Sequence, residues 1–98
     1  MGKTTFILIG AAILDVLAKP VELTSFQVDS IAAETLTTNT GGVAMNEART
    51  LALLGAGVRL VSKVGEDAAA DMILGQCRTL GIDTEFIRRS RETPTGVN

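Results

Sequence analysis

The sequence predicts a single α/β domain in which the strands of a parallel sheet alternate with helices. A continuous apolar run at Phe6–Ile9 shows no period-two alternation, which is typical of a parallel strand covered on both faces. Two helical patterns follow, and each leads into a β-prone run. A chain of 98 residues has room for one domain with one modest core. Because crossovers between parallel strands are right-handed, the order strand, helix, strand, helix, strand predicts this architecture.

Composition excludes several classes of function. Apolar residues make up 46% and charged residues 20%, which is typical of a globular protein. A formal net charge of −2 and few aromatic residues argue against nucleic-acid binding. The absence of histidine excludes an imidazole base and a histidine metal ligand. The single cysteine, Cys77, cannot form an internal disulfide, which favours a reducing, cytoplasmic location.

The apolar segment that contains the first strand extends from Phe6 to Leu14. It also resembles a short secretory signal, but Asp15 follows it directly, which favours a buried strand. A membrane-spanning helix needs about 20 apolar residues, so this segment is too short to cross a bilayer. We therefore expect a strand here and no membrane partner.

The next segment, residues 16–40, is rich in Thr and Ser and is interrupted by Pro20. Within it, Ser30–Thr37 is β-prone and mixed in polarity, which predicts an exposed strand outside the main core. Gly41 and Gly42 then precede a helix whose apolar residues recur at helical spacing, namely Ala44, Ala48, Leu51 and Ala52. Gly55 stands where a C-terminal cap glycine is expected.

The second half of the chain predicts two more strands around a second helix. Val58–Val64 is the first of these strands. A helix with Asp67 as its N-cap and Gly81 at its end carries an apolar stripe of Ala70, Ile73, Cys77 and Leu80. Ile82–Ile87 is expected to be the short third strand.

The remaining segments predict no nucleotide site. Arg88, Arg89 and Arg91 are expected to lie in a solvated loop, and residues 93–98 resemble the start of another strand. The triplet GKT at residues 2–4 lacks the leading glycine of a P-loop and precedes a strand. The triplet GAG at residues 55–57 ends a helix, and a helix C-terminus repels phosphate. On the inner stripe of its helix, Cys77 is interpreted as an inert core thiol.

One face of the predicted sheet is left without cover. Right-handed crossovers place both helices on the same face, although Phe6–Ile9 is apolar on both sides. We therefore expect the chain to be the amino-terminal piece of a larger α/β protein. A self-contained protein that covers this face by forming a homodimer is the alternative.

The residues most suggestive of a binding site are Asp15, Gly41, Gly42 and Asn46. Asp15 follows the carboxyl end of the first strand, where open α/β sheets bind ligands. The two glycines precede a helix, so unpaired N–H groups are expected to point outward with no side chain in the way. A carboxylate, an amide and bare N–H groups suit a neutral polyol such as a sugar. The alternative is that these residues serve only as turn and cap residues.

These residues also belong to a longer pattern. The segment GGVAMNEA at residues 41–48, followed by Gly55 and Gly65, resembles the first signature of the ribokinase (PfkB-type) carbohydrate kinases without a departure. Further motifs lie on both sides of this segment in the family's order. They are IG at 9–10 before Asp15, LGA at 54–56, VGED at 64–67, LGIDT at 80–84 and TPTG at 93–96. The resemblance therefore covers nearly the whole chain.

The resemblance implies a ribokinase-like fold, in which a parallel sheet with flanking helices carries a small β lid. Residues 1–98 would be the N-terminal part of a single domain, with about 16–40 and 93–98 contributing to the lid. Family members transfer the γ-phosphoryl group of ATP to a hydroxymethyl group of a sugar, nucleoside or related molecule, assisted by Mg²⁺. The ribose-specific members tend to have GGKG, so Val43 and Ala44 depart from the pattern for ribose.

The resemblance also assigns roles to residues. Asp15 and Asn46 would hold sugar hydroxyls, while Gly41 and Gly42 would let the backbone approach the substrate and let the lid hinge. The family's catalytic aspartate and ATP anion hole lie in a later GAGD motif that this sequence does not contain. Without them, phosphoryl transfer has no route.

We therefore expect no catalytic, ATP-binding or metal-binding residue in this chain, and we expect the chain alone to be inactive. A non-catalytic sugar-binding or regulatory half-domain is the alternative function. A homodimer formed through the β lid is a further possibility.

Overall fold

The computed structural model describes residues 5–20 and 33–98. Its elements are β1 (Thr5–Ile9), β2 (Ile13–Pro20), β3 (Ala33–Gly41), α1 (Val43–Leu53), β4 (Gly57–Gly65), α2 (Ala68–Leu80) and β5 (Ile87–Ser90). The triplet GKT and the middle of the Thr- and Ser-rich segment lie outside the described residues.

The main sheet is parallel and has the strand order β1–β4–β5. Along β1, Thr5 pairs with Gly57 and Ile9 pairs with Val61. On the other side of β4, Ser62 pairs with Ile87. This topology confirms the parallel α/β sheet that the sequence predicts, with β4 as its central strand.

Both helices pack against one face of this sheet. On β4, Val58, Leu60 and Val64 are buried in a single cluster with the inner stripes of the helices. The buried helix residues are Ala44, Met45 and Ala48 of α1 and Ala70, Ile73 and Cys77 of α2. These residues remove apolar area from water, which is the main stabilising contribution to such a core.

The opposite face of β1 has no cover among the described residues. In the β1–β4 register, Ile7 stands beside Arg59 and Ile9 beside Val61, on the face away from the buried β4 residues. Ile7 is 58% exposed and Ile9 is 77% exposed. The expectation of one uncovered apolar face is therefore confirmed within residues 5–20 and 33–98.

The predicted helix ends are confirmed. The Asp67 side chain caps α2 by accepting a hydrogen bond from the Ala70 N–H at 2.8 Å. Gly81 ends α2 in the left-handed conformation. Gly55 follows α1 in a turn, as expected for a helix stop.

The predicted position of the third strand is wrong. Asp83 makes one isolated bridge to Arg59, but β5 begins only at Ile87. The Asp83 carboxylate accepts hydrogen bonds from Arg59 Nε at 2.8 Å and from the Glu85 N–H at 2.9 Å. The second of these bonds is an Asx-type turn, which takes the chain away from β4 before it returns.

The predicted arginine loop is also wrong in part, because Arg88 and Arg89 belong to β5. Arg89 pairs with Val64 in the β4–β5 register, which places its side chain on the helix side of the sheet. There its guanidinium forms an ion pair with Asp71 of α2 at 2.9 Å. The residue therefore links β5 to α2.

A second, antiparallel sheet is formed by β2 and β3. In its register Leu14 pairs with Thr40 and Asp15 pairs with Asn39. The sequence did not predict β2 as a separate strand. Val97 forms a parallel bridge to Leu14, so the chain near its end lies along the other edge of β2. None of the described helices is long and apolar enough to cross a membrane.

Candidate functional site

The four predicted site residues come together where β2, β3 and α1 meet. Asp15 lies within β2, Gly41 ends β3, and Gly42 is the N-cap of α1. Asn46 follows in the first turn of that helix. Asp15 and Asn46 line the same cavity of about 580 Å³.

Gly41 lies directly against the Asp15 carboxylate. A Cβ placed on Gly41 would stand 2.2 Å from Asp15 Oδ2 and 2.9 Å from Asp15 Cγ. Real Cβ atoms essentially never show contacts under 3.0 Å, so any side chain at position 41 would displace the carboxylate. The missing side chain at Gly41 therefore makes room for the Asp15 carboxylate.

Gly42 is a glycine for a different reason. Its φ of 91° lies in the left-handed region that side chains rarely adopt. A Cβ there would also stand 2.5 Å from the Ala11 carbonyl oxygen. A glycine at position 42 therefore allows the start of α1 to pack closely against the segment between β1 and β2.

The N–H groups at the start of α1 are only partly free. The Met45 N–H donates to the Ala11 carbonyl at 3.3 Å, and the Asn46 N–H donates to the Gly42 carbonyl at 2.9 Å. The expectation of a fully unpaired set of N–H groups is therefore wrong for Met45. What the helix offers the cavity is mainly the Asn46 side chain.

Arg49 is a site residue that the sequence analysis missed. It donates from one terminal nitrogen to Asn46 Oδ1 at 3.0 Å and from the other to both the carbonyl and the hydroxyl oxygens of Thr40. The guanidinium therefore ties α1 to β3 and orients the Asn46 amide. The only available signal was its position three residues after Asn46, which places both on one helix face.

The cavity is lined from four elements. Its lining residues are Asp15 of β2, Thr38, Asn39 and Thr40 of β3, Asn46 and Arg49 of α1, and Met72 and Gln76 of α2. Its volume falls in the range of about 300–1,000 Å³ that small-molecule sites occupy. Hydroxyl, amide and carboxylate groups predominate, and this chemistry suits a ligand with several hydroxyl groups.

The charges of the cavity balance each other. Asp15 supplies one negative charge and Arg49 one positive charge. Both terminal nitrogens of the guanidinium already donate hydrogen bonds, one to Asn46 and the other to Thr40. The charged side chains that line the cavity therefore carry no net charge.

The described residues contain no cluster of metal-ligating side chains. Across 5–20 and 33–98, no group of three or more Cys, Asp or Glu side chains could hold a metal ion.

Cys77 is fully buried with its Sγ 3.8 Å from Met45 Sδ, and burial raises the pKa of its thiol. The interpretation of Cys77 as a core residue is confirmed by this burial.

The fold agrees with comparisons to known proteins. The model of the pfkB family carbohydrate kinases matches residues 3–98. The chain belongs to this family. Its architecture, a parallel sheet with flanking helices, is accordingly ribokinase-like.

Solved structures show the same likeness. A fructokinase from Xylella fastidiosa is 27% identical with a TM-score of 0.79, over 95% of this chain and 27% of that one. A ribokinase from Arabidopsis thaliana complexed with ribose and ATP is 26% identical with a TM-score of 0.83, over 99% of this chain and 31% of that one. A carbohydrate kinase from Agrobacterium tumefaciens, at 22% identity and a TM-score of 0.84, shares the fold. The chain spans less than a third of the length of these structures.

Proposed function

We propose that this chain forms the sugar-binding part of an ATP-dependent carbohydrate kinase. The observation that carries the proposal is the placement of Asp15 and Asn46 in one cavity whose charged side chains cancel. An ionised carboxylate accepts hydrogen bonds from two hydroxyls, while an amide both donates and accepts. In this proposal both side chains bind hydroxyl groups of the acceptor sugar.

The chain's own contribution to the reaction is binding and orientation. Holding the sugar hydroxyls fixes the acceptor relative to the phosphoryl donor, and such positioning accounts for much of the catalysis of phosphoryl transfer. When bound, ATP with Mg²⁺ supplies the phosphoryl group and the compensating charge. No transfer step is assigned to the described residues, since the sequence does not contain the GAGD motif in which the family's catalytic aspartate and ATP anion hole are expected.

The second sheet is proposed to act as the lid of this site. It is formed by β2, β3 and the pairing of Val97 with β2, which together agree with a lid built from about 16–40 and 93–98. Asp15 lies on this sheet and Asn46 on α1, so closure of the sheet over the helix would surround the sugar. The whole chain is then one part of a single domain.

The proposed acceptor is a neutral monosaccharide. Fructose and ribose are the first probes, because the similar structures include a fructokinase and a ribokinase with bound ribose. Val43 and Ala44 depart from the pattern of ribose-specific members, so we expect fructose to be the better acceptor of the two.

The test is a substitution at Asp15 in the gene product that carries this sequence. Asp15→Ala is expected to raise the sugar KM sharply and to leave the KM for ATP nearly unchanged. Asp71→Ala removes an exposed carboxylate outside the cavity and is the matched control. A collapse of ATP affinity with an unchanged sugar KM would contradict the assignment. Sugar binding without any phosphoryl transfer would support the non-catalytic alternative instead.

A homodimer through this lid is also proposed. Leu17 is 63% exposed and Leu36 is 66% exposed, on opposite faces of the second sheet in the β2–β3 register, and association through either face would bury one of these apolar side chains. Sedimentation of the protein is the test, and a clean folded monomer would rule out the dimer.

A further inference from the structure

The contact between Asp67 and Thr95 joins three parts of the molecule. Asp67 Oδ1 accepts from the Thr95 hydroxyl at 2.7 Å, and Asp67 Oδ2 accepts from the Thr95 N–H at 2.9 Å. The same carboxylate caps α2 through the Ala70 N–H at 2.8 Å. The Thr95 hydroxyl in turn accepts from the Gly65 N–H, at the end of β4, at 2.8 Å.

Thr95 is buried, and both its hydroxyl and its backbone N–H form hydrogen bonds within the protein. Only 6% of its surface is exposed, and it is the buried polar residue of the described core. Its hydroxyl both donates and accepts, so its hydrogen-bonding capacity is used within the protein. The contact therefore fixes the backbone at Thr95 relative to β4 and α2.

The backbone after Thr95 continues directly along β2. The Leu14 N–H donates to the Gly96 carbonyl at 2.9 Å, and the Asn98 N–H donates to the Leu14 carbonyl at 2.8 Å. The Val16 N–H donates to the Asn98 carbonyl at 2.7 Å. These bonds bracket Asp15 on both sides along the strand.

Asp15 itself is thereby held from both edges of its strand. On one edge β2 pairs with β3, where Asp15 stands beside Asn39. On the other edge stands the segment 95–98. A two-stranded sheet alone is only marginally stable in water, so the hydrogen bonds to segment 95–98 contribute to how firmly β2 is placed.

We propose that Asp67 and Thr95 are positioning residues for Asp15. They anchor segment 95–98 to the main sheet, and that segment aligns β2 so that the Asp15 carboxylate faces the cavity. Neither residue lines the cavity, so neither contacts the sugar. The consequence for sugar binding depends on the proposed function, whereas the anchoring of β2 does not.

The experiment uses three variants and one control in the gene product that carries this sequence. Thr95→Val keeps the shape of the side chain and removes the hydroxyl, and Thr95→Ser restores the hydroxyl. Asp67→Asn keeps a good N-cap for α2 but weakens the acceptor facing Thr95. Asp71→Asn is the matched control. It changes a residue of α2 and breaks the ion pair between Asp71 and Arg89 of β5.

Two readouts are measured on each variant. The first is amide hydrogen exchange at Leu14, Val16 and Asn98, whose N–H groups form the bonds between β2 and the segment. The second is the KM for the sugar against kcat and against the KM for ATP. We expect Thr95→Val and Asp67→Asn to speed exchange and to raise the sugar KM about tenfold, the equivalent of one hydrogen bond to a charged group.

The outcomes separate the two proposals. Thr95→Ser and Asp71→Asn are expected to behave like the wild type in both readouts. Unchanged exchange in Asp67→Asn and Thr95→Val overturns the anchoring, and faster exchange with an unchanged sugar KM overturns the positioning role. If the wild type binds no sugar, the proposed function fails, while the exchange measurement still decides the anchoring. If Thr95→Val does not fold, Asp67→Asn provides the same test.

Discussion

The Asp15 carboxylate occupies the space that a side chain at Gly41 would fill, with Asp15 Oδ2 2.2 Å from an ideal Cβ there. Two residues on neighbouring strands are therefore matched in size. The glycine allows the acidic group to line the cavity. This relationship makes the first prediction specific.

Gly41→Ala is expected to displace the Asp15 carboxylate and to weaken sugar binding at least tenfold, because the added methyl group cannot share its space. Isothermal titration with the sugar measures the effect. Gly75→Ala is the matched control: nothing lies within 4 Å of a Cβ at this position inside α2. That control should bind sugar normally and gain about 0.5–1 kcal/mol of stability. Equal sugar affinity in both variants would contradict the role of Gly41.

Arg49→Met is expected to lower sugar affinity although it removes neither of the side chains that are proposed to bind the sugar. The guanidinium holds Asn46 Oδ1 at 3.0 Å and also bonds Thr40, so its loss frees the amide to turn. We expect a loss of about tenfold, as for one hydrogen bond to a charged group. Arg49→Lys should restore little, because an ammonium group cannot reach both partners in the planar geometry of a guanidinium. Arg78→Met changes an exposed arginine of α2 and should leave affinity unchanged.

The stability of the protein is expected to fall on acidification through Asp67. Hydrogen bonds from the Thr95 hydroxyl, the Thr95 N–H and the Ala70 N–H hold the pKa of this carboxyl below its usual value. Because the folded-state pKa is lower than the unfolded one, the carboxylate stabilises the fold above a pH of about 4. This contribution is lost as the pH falls through the folded-state pKa.

Urea unfolding as a function of pH tests this directly. Asp67→Asn should be less stable than the wild type at neutral pH, and the difference should shrink as the pH is lowered. Asp71→Asn serves as the control on the same helix. A difference between Asp67→Asn and the wild type that is constant with pH would show that the carboxylate's charge contributes nothing.

The uncovered face of β1 is expected to make the 98-residue chain associate when it is prepared by itself. Ile9, which is 77% exposed, lies beside the exposed Ile7 on this face, and such patches drive self-association. Ile9→Thr should reduce the sedimentation coefficient of the associated chain and its binding of a hydrophobic dye. Leu54→Thr alters an equally exposed residue at the end of α1 and is the control. A sharp, cooperative melt of a monomer would contradict this expectation.

The helices and the first and central strands of the main sheet could be predicted because their signals are local. Helical spacing indicates the buried stripe of α2, and the capping groups at Asp67 and Gly81 mark its ends. The apolar run at Phe6–Ile9 likewise predicts β1. In each case the residues that determine the element lie within it.

The missed features depend on partners in other elements of the fold. The strand β2 is stabilised by β3 and by Val97, so Ile13–Pro20 has no signal of its own. The start of β5 is delayed because Asp83 bonds both Arg59 and Glu85. Of the site residues, Asp15, Gly41, Gly42 and Asn46 could be named from their motif. Arg49 could not, because its bond to Thr40 crosses from the helix to a strand.

The pairing of β1 with β4 has a consequence for the order in which the chain folds. Beside this pairing the Ser62 hydroxyl donates to the Gly10 carbonyl, 52 residues earlier in the chain, at 2.6 Å. Contacts that close such long loops form late, whereas α1 and α2 contain only local bonds. During synthesis the first strand therefore leaves the ribosome long before its neighbour exists, and its backbone N–H and C=O groups have no β4 partner until that strand has emerged.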